Sequence, residues 1–143
     1  MITGFESDRS ILTALIADKT ANPLLIKFLE SYHDRDFIDC DGNMDLTPIN
    51  QGFSELLEVN GVNLSCDSYQ MTKEGVVIYP TEYLCGFDVK NWHEKITSNT
   101  YGVHHMGNSW ATPKMKWHIK KIRFFQKIIG IKAYDFLKSI LKE

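Results

Sequence analysis

Residues 99–110 read NTYGVHHMGNSW, two adjacent histidines followed within five residues by a glycine, an asparagine, a serine and a tryptophan. An imidazole can ligate a divalent metal or bind a phosphate oxygen. His104 and His105 are adjacent, and neighbouring residues on an extended strand point to opposite faces, so only one of them can enter a given cleft. Gly107, Asn108 and Ser109 would let backbone N–H groups and a hydroxyl approach an anion, a geometry suited to a diphosphate. Trp110 could close over a nucleotide or a sugar. A purely structural account is also open. Tyr, Val and His are acceptable in strands, Gly107 and Asn108 suit a turn, and Trp110 could be a core anchor. Zinc-binding histidines on a helix would want i, i+4 spacing, which this pair lacks, and no glycine-rich P-loop or Rossmann-type phosphate loop occurs.

The elements that position this stretch belong to one domain-sized chain of 143 residues. Hydrophobic residues make up 43% and charged residues 24%, the balance of an ordinary soluble protein. No apolar run approaches the ~20 residues that span a bilayer, and the polar start MITGFESDRS does not read as a secretory signal. Cys40, Cys66 and Cys85 lack CxxC spacing, and they read as reduced thiols of a cytoplasmic protein. Charge is divided unevenly. Residues 1–113 carry 7 basic and 16 acidic side chains, and residues 114–143 carry 9 and 2. An acidic body argues against nucleic-acid binding.

Apolar spacing predicts two helices with the same opening device. In TANPLLIKFLESYHDR, Asn22 is the N-cap and Pro23 the first helical residue, with Leu24, Leu25, Phe28, Leu29 and Tyr32 on the buried face. In LTPINQGFSELLEVNG, Thr47 caps, Pro48 opens, Ile49, Phe53, Leu56 and Leu57 face inward, and Gly61 stops the helix. SILTALIA (10–17) suits a strand or a helical turn equally. GVVIYP is a strand closed by Pro80, and NTYGVHHMG is a second strand candidate. Between them, 81–98 reads as an irregular loop with aromatic anchors, and Asp39 and Asp41 read as solvated loop residues. From Pro113 onward the pattern is helical, with a stripe through Trp117, Phe124, Ile128, Ile131 and Phe136, and Gly130 kinks or splits it. The fold class is α/β, dominated by helices with few short strands. Residues 1–112 form the main unit, and 113–143 form a basic amphipathic helical tail suited to an anionic membrane surface.

The order GFESDRSILTALIADKTANPLLIKFLESY, DGNMDLTPINQGFSELLEVNG, VVIYPTEYLCGFD and ITSNTYGVHHMGNSW resembles the C-terminal half of bacterial glycosyltransferases of family 32. These are mannosyltransferase-like enzymes of capsular polysaccharide synthesis. The resemblance covers about residues 4–110, and its most specific part is the closing Y-x-V-H-H-x-x-x-SW segment. It implies a partial GT-A-like fold and a retaining transferase that uses a nucleotide sugar, a glycan acceptor, and Mn²⁺ or Mg²⁺. It implies that His104, with His105 second, helps hold metal and diphosphate, and that Gly107, Asn108, Ser109 and Trp110 bind the donor. It also implies a cytoplasmic enzyme, peripheral at the inner face of the plasma membrane.

The family's first half, with its Asp-x-Asp motif, has no counterpart among these 143 residues; DCD at 39–41 falls in a polar loop. A lone imidazole is a poor site for a hard cation, which prefers several oxygens, so metal binding and activity by this chain alone are expected to be weak or absent. Helices that the family packs on a larger sheet would expose Leu24, Leu25, Phe28, Ile49, Phe53 and Leu57, which favours a homodimer or a partner chain unless the helices bury one another. The alternative is a non-catalytic, self-associating helical module derived from such an enzyme.

Overall fold

The computed structural model describes residues 1–19, 21–105 and 111–140. Its organising element is a small mixed sheet with strand order β2-β1-β4-β3. Strand β1 (Ile2–Ser7) turns at Asp8 and Arg9 into β2 (Ser10–Ile11), antiparallel to it. Strand β4 (Val77–Tyr79) lies parallel to β1, with Ile2 opposite Val77, Thr3 opposite Ile78 and Gly4 opposite Tyr79. Strand β3 (Gln70–Met71) pairs antiparallel on the outer side of β4. A parallel pair requires a long crossover, and residues 8–76 supply one that carries two helices.

Helix α1 (Pro23–Glu30) begins as its sequence predicts: Asn22 Oδ1 accepts from Leu24 N–H at 2.9 Å, and Pro23 needs no partner. Helix α2 (Ile49–Val59) starts one residue later than predicted, and Thr47 does not cap it. The backbone N–H of Thr47 donates instead to Asp45 Oδ1 at 3.0 Å, and Pro48 takes the extended cap position. Arg35 pairs with the same Asp45, and its hydrogen bond holds that carboxyl far below the usual range.

Period-two alternation sends Phe5 into the core, together with Ile11, Leu24, Phe28, Phe53, Leu57, Val62, Leu64, Val76 and Ile78. The Phe28 and Phe53 rings lie 5.0 Å apart. Two buried hydroxyls close the ladder ends. Thr3 donates to Leu12 O at 2.7 Å, while Ser54 accepts from Ile11 N–H at 2.8 Å and donates to Asn50 O at 2.6 Å, which fastens β2 to α2. Leu24, Phe28, Phe53 and Leu57 are therefore buried within the chain, so of the two expected outcomes these four follow the one in which the helices are covered by the chain itself. The faces are also narrower than predicted: Leu29 is 70% and Ile49 52% exposed, because the small sheet covers less than the whole stripe.

The region 81–98 is more ordered than a loop. It holds α3 (Thr81–Leu84) and a hairpin of β5 (Phe87–Asp88) and β6 (His93–Glu94). Phe87 and Trp92 are its edge-to-face anchor, with centroids 6.2 Å apart. Helix α4 (Pro113–Ile129) is capped by Thr112 and ends at Gly130, whose φ of 83° and ψ of 152° break the path before α5 (Ile131–Ile140). The predicted stripe faces away from the body. Ile122 and Gln126 are buried, whereas Trp117, Phe124, Ile128, Ile131 and Phe136 are exposed, because the tail docks through polar contacts on the β5–β6 hairpin. Gln126 donates to Asn91 O, and Lys138 Nζ donates to Lys90 O and to Asn91 Oδ1. Among the described residues no helix is long and apolar enough to cross a membrane.

The core's weight should be visible in single substitutions. Phe53→Ala is expected to cost about 3–5 kcal/mol by urea denaturation, against less than about 0.5 kcal/mol for exposed Leu29→Ala.

Candidate functional site

A cleft of about 450 Å³ opens where the parallel strands β1 and β4 end. Carboxyl ends of parallel strands are the usual place for a ligand crevice, because the connections there diverge. β1 delivers Glu6, Ser7 and Asp8 to one wall, and the residues after β4, Pro80 to Glu82, deliver another. Gly86 to Lys90 and Lys95 of the hairpin complete it. A second pocket of about 280 Å³ shares Ser7, Asp8 and Asp67 with the first.

Glu6 is the centre of the polar network. Alternation along β1 places it on the face of Gly4, opposite Phe5. That face is tight: a Cβ on Gly4 would sit 3.2 Å from Tyr79 O and 3.4 Å from Leu84, which lets α3 lie against the strand. Glu6 Oε2 accepts from Asn50 Nδ2 at 2.6 Å and from Ser10 Oγ at 3.4 Å. Its other oxygen, Oε1, lies 3.2 Å from His104 Nδ1. That approach is not aligned as a hydrogen bond, so the buried Nδ1 has no aligned partner among the described residues.

The segment bearing His104 is held by backbone bonds rather than by a strand ladder. Tyr101 and Gly102 N–H both point to Tyr83 O, at 2.8 and 3.2 Å, and His104 N–H donates to Cys85 O at 2.7 Å. The partner residues sit at the end of α3, which offers no continuing edge, so the predicted strand over 99–105 does not form. The facing of the two histidines nevertheless follows the extended-chain argument. His104 turns inward to Glu6, and His105 turns outward, 73% exposed, to Glu94 Oε1 at 3.3 Å. The two imidazoles thus pair with different carboxylates. Gly107, Asn108, Ser109 and Trp110 lie outside the described residues.

The cleft is acidic. Glu6, Asp8, Asp67, Glu82 and Asp88 line it against Lys90 and Lys95. Several of these carboxylates also serve the local fold. Asp67 accepts from Thr81 N–H at 2.7 Å at the start of α3. Asp88 accepts from Lys90 and Asn91 N–H at 2.9 and 3.1 Å, the Asx turn of the hairpin. Glu82 holds Thr97 Oγ1 and Asn99 Nδ2, both at 3.1 Å. Asp8 pairs with Lys90, which raises the ammonium's pKa. Behind the cleft the buried thiol of Cys85 is pushed up to about 11, by burial first and then by the charge of Glu6. Asp39 lies apart: Asn43 and the 41–43 backbone occupy its carboxylate and lower its pKa, as a loop-closing residue requires.

Among the described residues no group of three or more His, Cys, Asp or Glu side chains is placed to hold a metal ion. His104 Nδ1 and Glu6 Oε1 offer two donors, one of them nitrogen, and a hard cation such as Mn²⁺ or Mg²⁺ needs more oxygens than that. The site as described therefore does not fit that ion. Reading the sequence alone did not assign Glu6, Asp8, Asp67, Glu82 or Asp88 to the site. The signal was their position just after apolar strands, and it is usable only once β1 is known to pair with β4. Comparisons with family models, with curated proteins and with solved structures return no significant match.

Two outcomes test this geometry. Gly86 has φ +52°, and a Cβ there would meet Gly102 O and Thr100 Cγ2 at 2.9 Å. Gly86→Ala should cost more than about 1 kcal/mol in urea and shift the NMR signals of His104. For Cys85, the folded thiol ionises near 11 against 9.0 when free, so the unfolded chain loses its proton first. The stability contributed is full below pH 9 and lost as pH rises toward 11. The fall of the urea midpoint across that window should be shallower in Cys85→Ala.

Proposed function

We propose that the chain is the acceptor-side part of a retaining, nucleotide-sugar-dependent glycosyltransferase with a partial GT-A-like fold, acting in capsular or surface polysaccharide synthesis at the cytoplasmic side. The observation that supports this best is an acidic cleft at the carboxyl ends of two parallel strands, lined by Glu6, whose carboxylate lies beside His104. Segments that carry the family resemblance, far apart in sequence, converge there. Glu6 comes from GFE, Thr81 and Glu82 from YPTE and Asp88 from GFD, while His104 of the closing segment stands behind Glu6.

The chemistry of the lining narrows the ligand. Five carboxylates against two lysines repel a diphosphate and accept hydrogen bonds from sugar hydroxyls. Glu6 lines the cleft, Asn50 and Ser10 orient one of its oxygens, and the other lies 3.2 Å from His104 Nδ1. The intact enzyme's metal would help neutralise the donor's diphosphate. The resemblance puts that ion on an Asp-x-Asp segment of the family's first half, which has no counterpart in residues 1–143. A second reading, a non-catalytic module derived from such an enzyme, is favoured by the small donor set at Glu6 and His104.

Titration of the purified chain with neutral mono- and oligosaccharides, followed by backbone NMR, separates the readings. The transferase reading expects shifts at Glu6, Thr81 and Asp88, and about tenfold weaker binding in Glu6→Gln. It also expects no turnover of uridine or guanosine diphosphosugars with Mn²⁺ by this chain alone. Cleft signals unmoved by every sugar would favour the module. Nucleotide-sugar turnover by 1–143 that is lost in His104→Ala would overturn the acceptor-side assignment.

A further inference from the structure

We infer that α4 and α5 form a docking surface for an anionic lipid bilayer. Ile122 and Gln126 turn α4 toward the body. At about 100° per residue, Trp117, Phe124 and Ile128 fall together about 200–240° around the helix from Ile122, on the side facing away. They are 61%, 60% and 62% exposed. Arg123, Lys116, Lys127 and Lys120 occupy the adjoining sector at about 100–160°. Lys121 stands over the Trp117 ring at 4.4 Å on the other flank. Helix α5 repeats the arrangement on a smaller scale. Tyr134, Asp135 and Lys138 are partly buried toward the body, whereas Phe136, Leu137 and Ile140 are exposed.

Charge decides among the possible covers. A second copy of this chain would bring the same basic block against itself. Its acidic body also exposes apolar side chains, Leu29, Phe37 and Leu46 among them, so a head-to-tail copy is the competing occupant that light scattering tests. An anionic bilayer answers both parts at once. The ring of Trp117 and the side chains of Phe124 and Ile128 enter the headgroup boundary, and the flanking ammonium and guanidinium groups meet lipid phosphates. Gly130 divides the surface into two short helices, which can each lie flat in the interface.

Sedimentation with vesicles tests this. Vesicles of phosphatidylcholine with about one-third phosphatidylglycerol should carry the protein down at about 0.05 M salt and release it at about 0.5 M. Pure phosphatidylcholine vesicles should not. A combined Trp117→Ser, Phe124→Ser, Ile128→Ser variant and a combined Lys116→Glu, Lys120→Glu, Lys127→Glu variant should both lose binding. Each basic residue removed should weaken it about fivefold. Circular dichroism checks that both variants remain folded, as their surface positions predict. A blue shift of emission on binding should vanish in Trp117→Phe. Equal recovery with neutral vesicles, no recovery with either, or a dimer by light scattering that the serine variant dissolves while vesicles stay unbound would each overturn the inference.

Discussion

The parallel pairing of β1 with β4 is the constraint on which the rest depends. It joins the first residues of the chain to a strand some seventy positions later, and Val77 N–H already bonds to Met1 O at 2.8 Å as the register begins. Closing so long a loop costs entropy before any contact offsets it. The return comes from the side chains that the register aligns. Phe5 and Ile78 go to the α1–α2 layer, and Gly4 clears space for α3. A slip of one residue would exchange Phe5 with Glu6, placing a carboxylate in the apolar core and a ring in the cleft. Register and site are thus set by the same pairing.

The carboxylates around the cleft show how one residue type serves two ends. Asp67 and Asp88 accept from backbone N–H groups at the start of α3 and at the hairpin turn, so they hold the walls in place. Glu6 differs, because all its side-chain neighbours are themselves side chains: Asn50, Ser10 and His104. Its geometry is therefore set by packing from three separate elements. Through Asn50, movement of Glu6 is coupled to α2.

Local signals were legible where the chemistry is local. Asn22–Pro23 fixed the start of α1, the run VVIY marked β4, and Gly130 marked the break between α4 and α5. The opposite facing of His104 and His105 followed from backbone alternation alone, even though their segment forms no ladder. What stayed hidden depends on distant partners. ITGFES has a buried threonine and a glycine where an apolar alternation would be sought, so β1 shows itself only through its pairing. Thr47 looked like a cap, but Pro48 takes the extended cap position and the helix starts at Ile49. The tail's stripe was visible as amphipathic, but periodicity says only that two faces differ. Which one meets the body is decided by the polar contacts of Gln126 and Lys138 with the hairpin.

That hairpin has two clients. Asp88, Val89 and Lys90 line the cleft, and the backbone of Lys90 and Asn91 anchors α4 and α5. His93 Nε2 lies 3.5 Å from Asp135 of α5 without an aligned hydrogen bond. Thermodynamic linkage applies to any element shared in this way. An occupant of the cleft that prefers one hairpin position changes the affinity of whatever holds the helices by some factor. The occupant of the helices must then change affinity in the cleft by that same factor. If both surfaces take an occupant, the hairpin from Asp88 to Asn91 would bind them to that reciprocity.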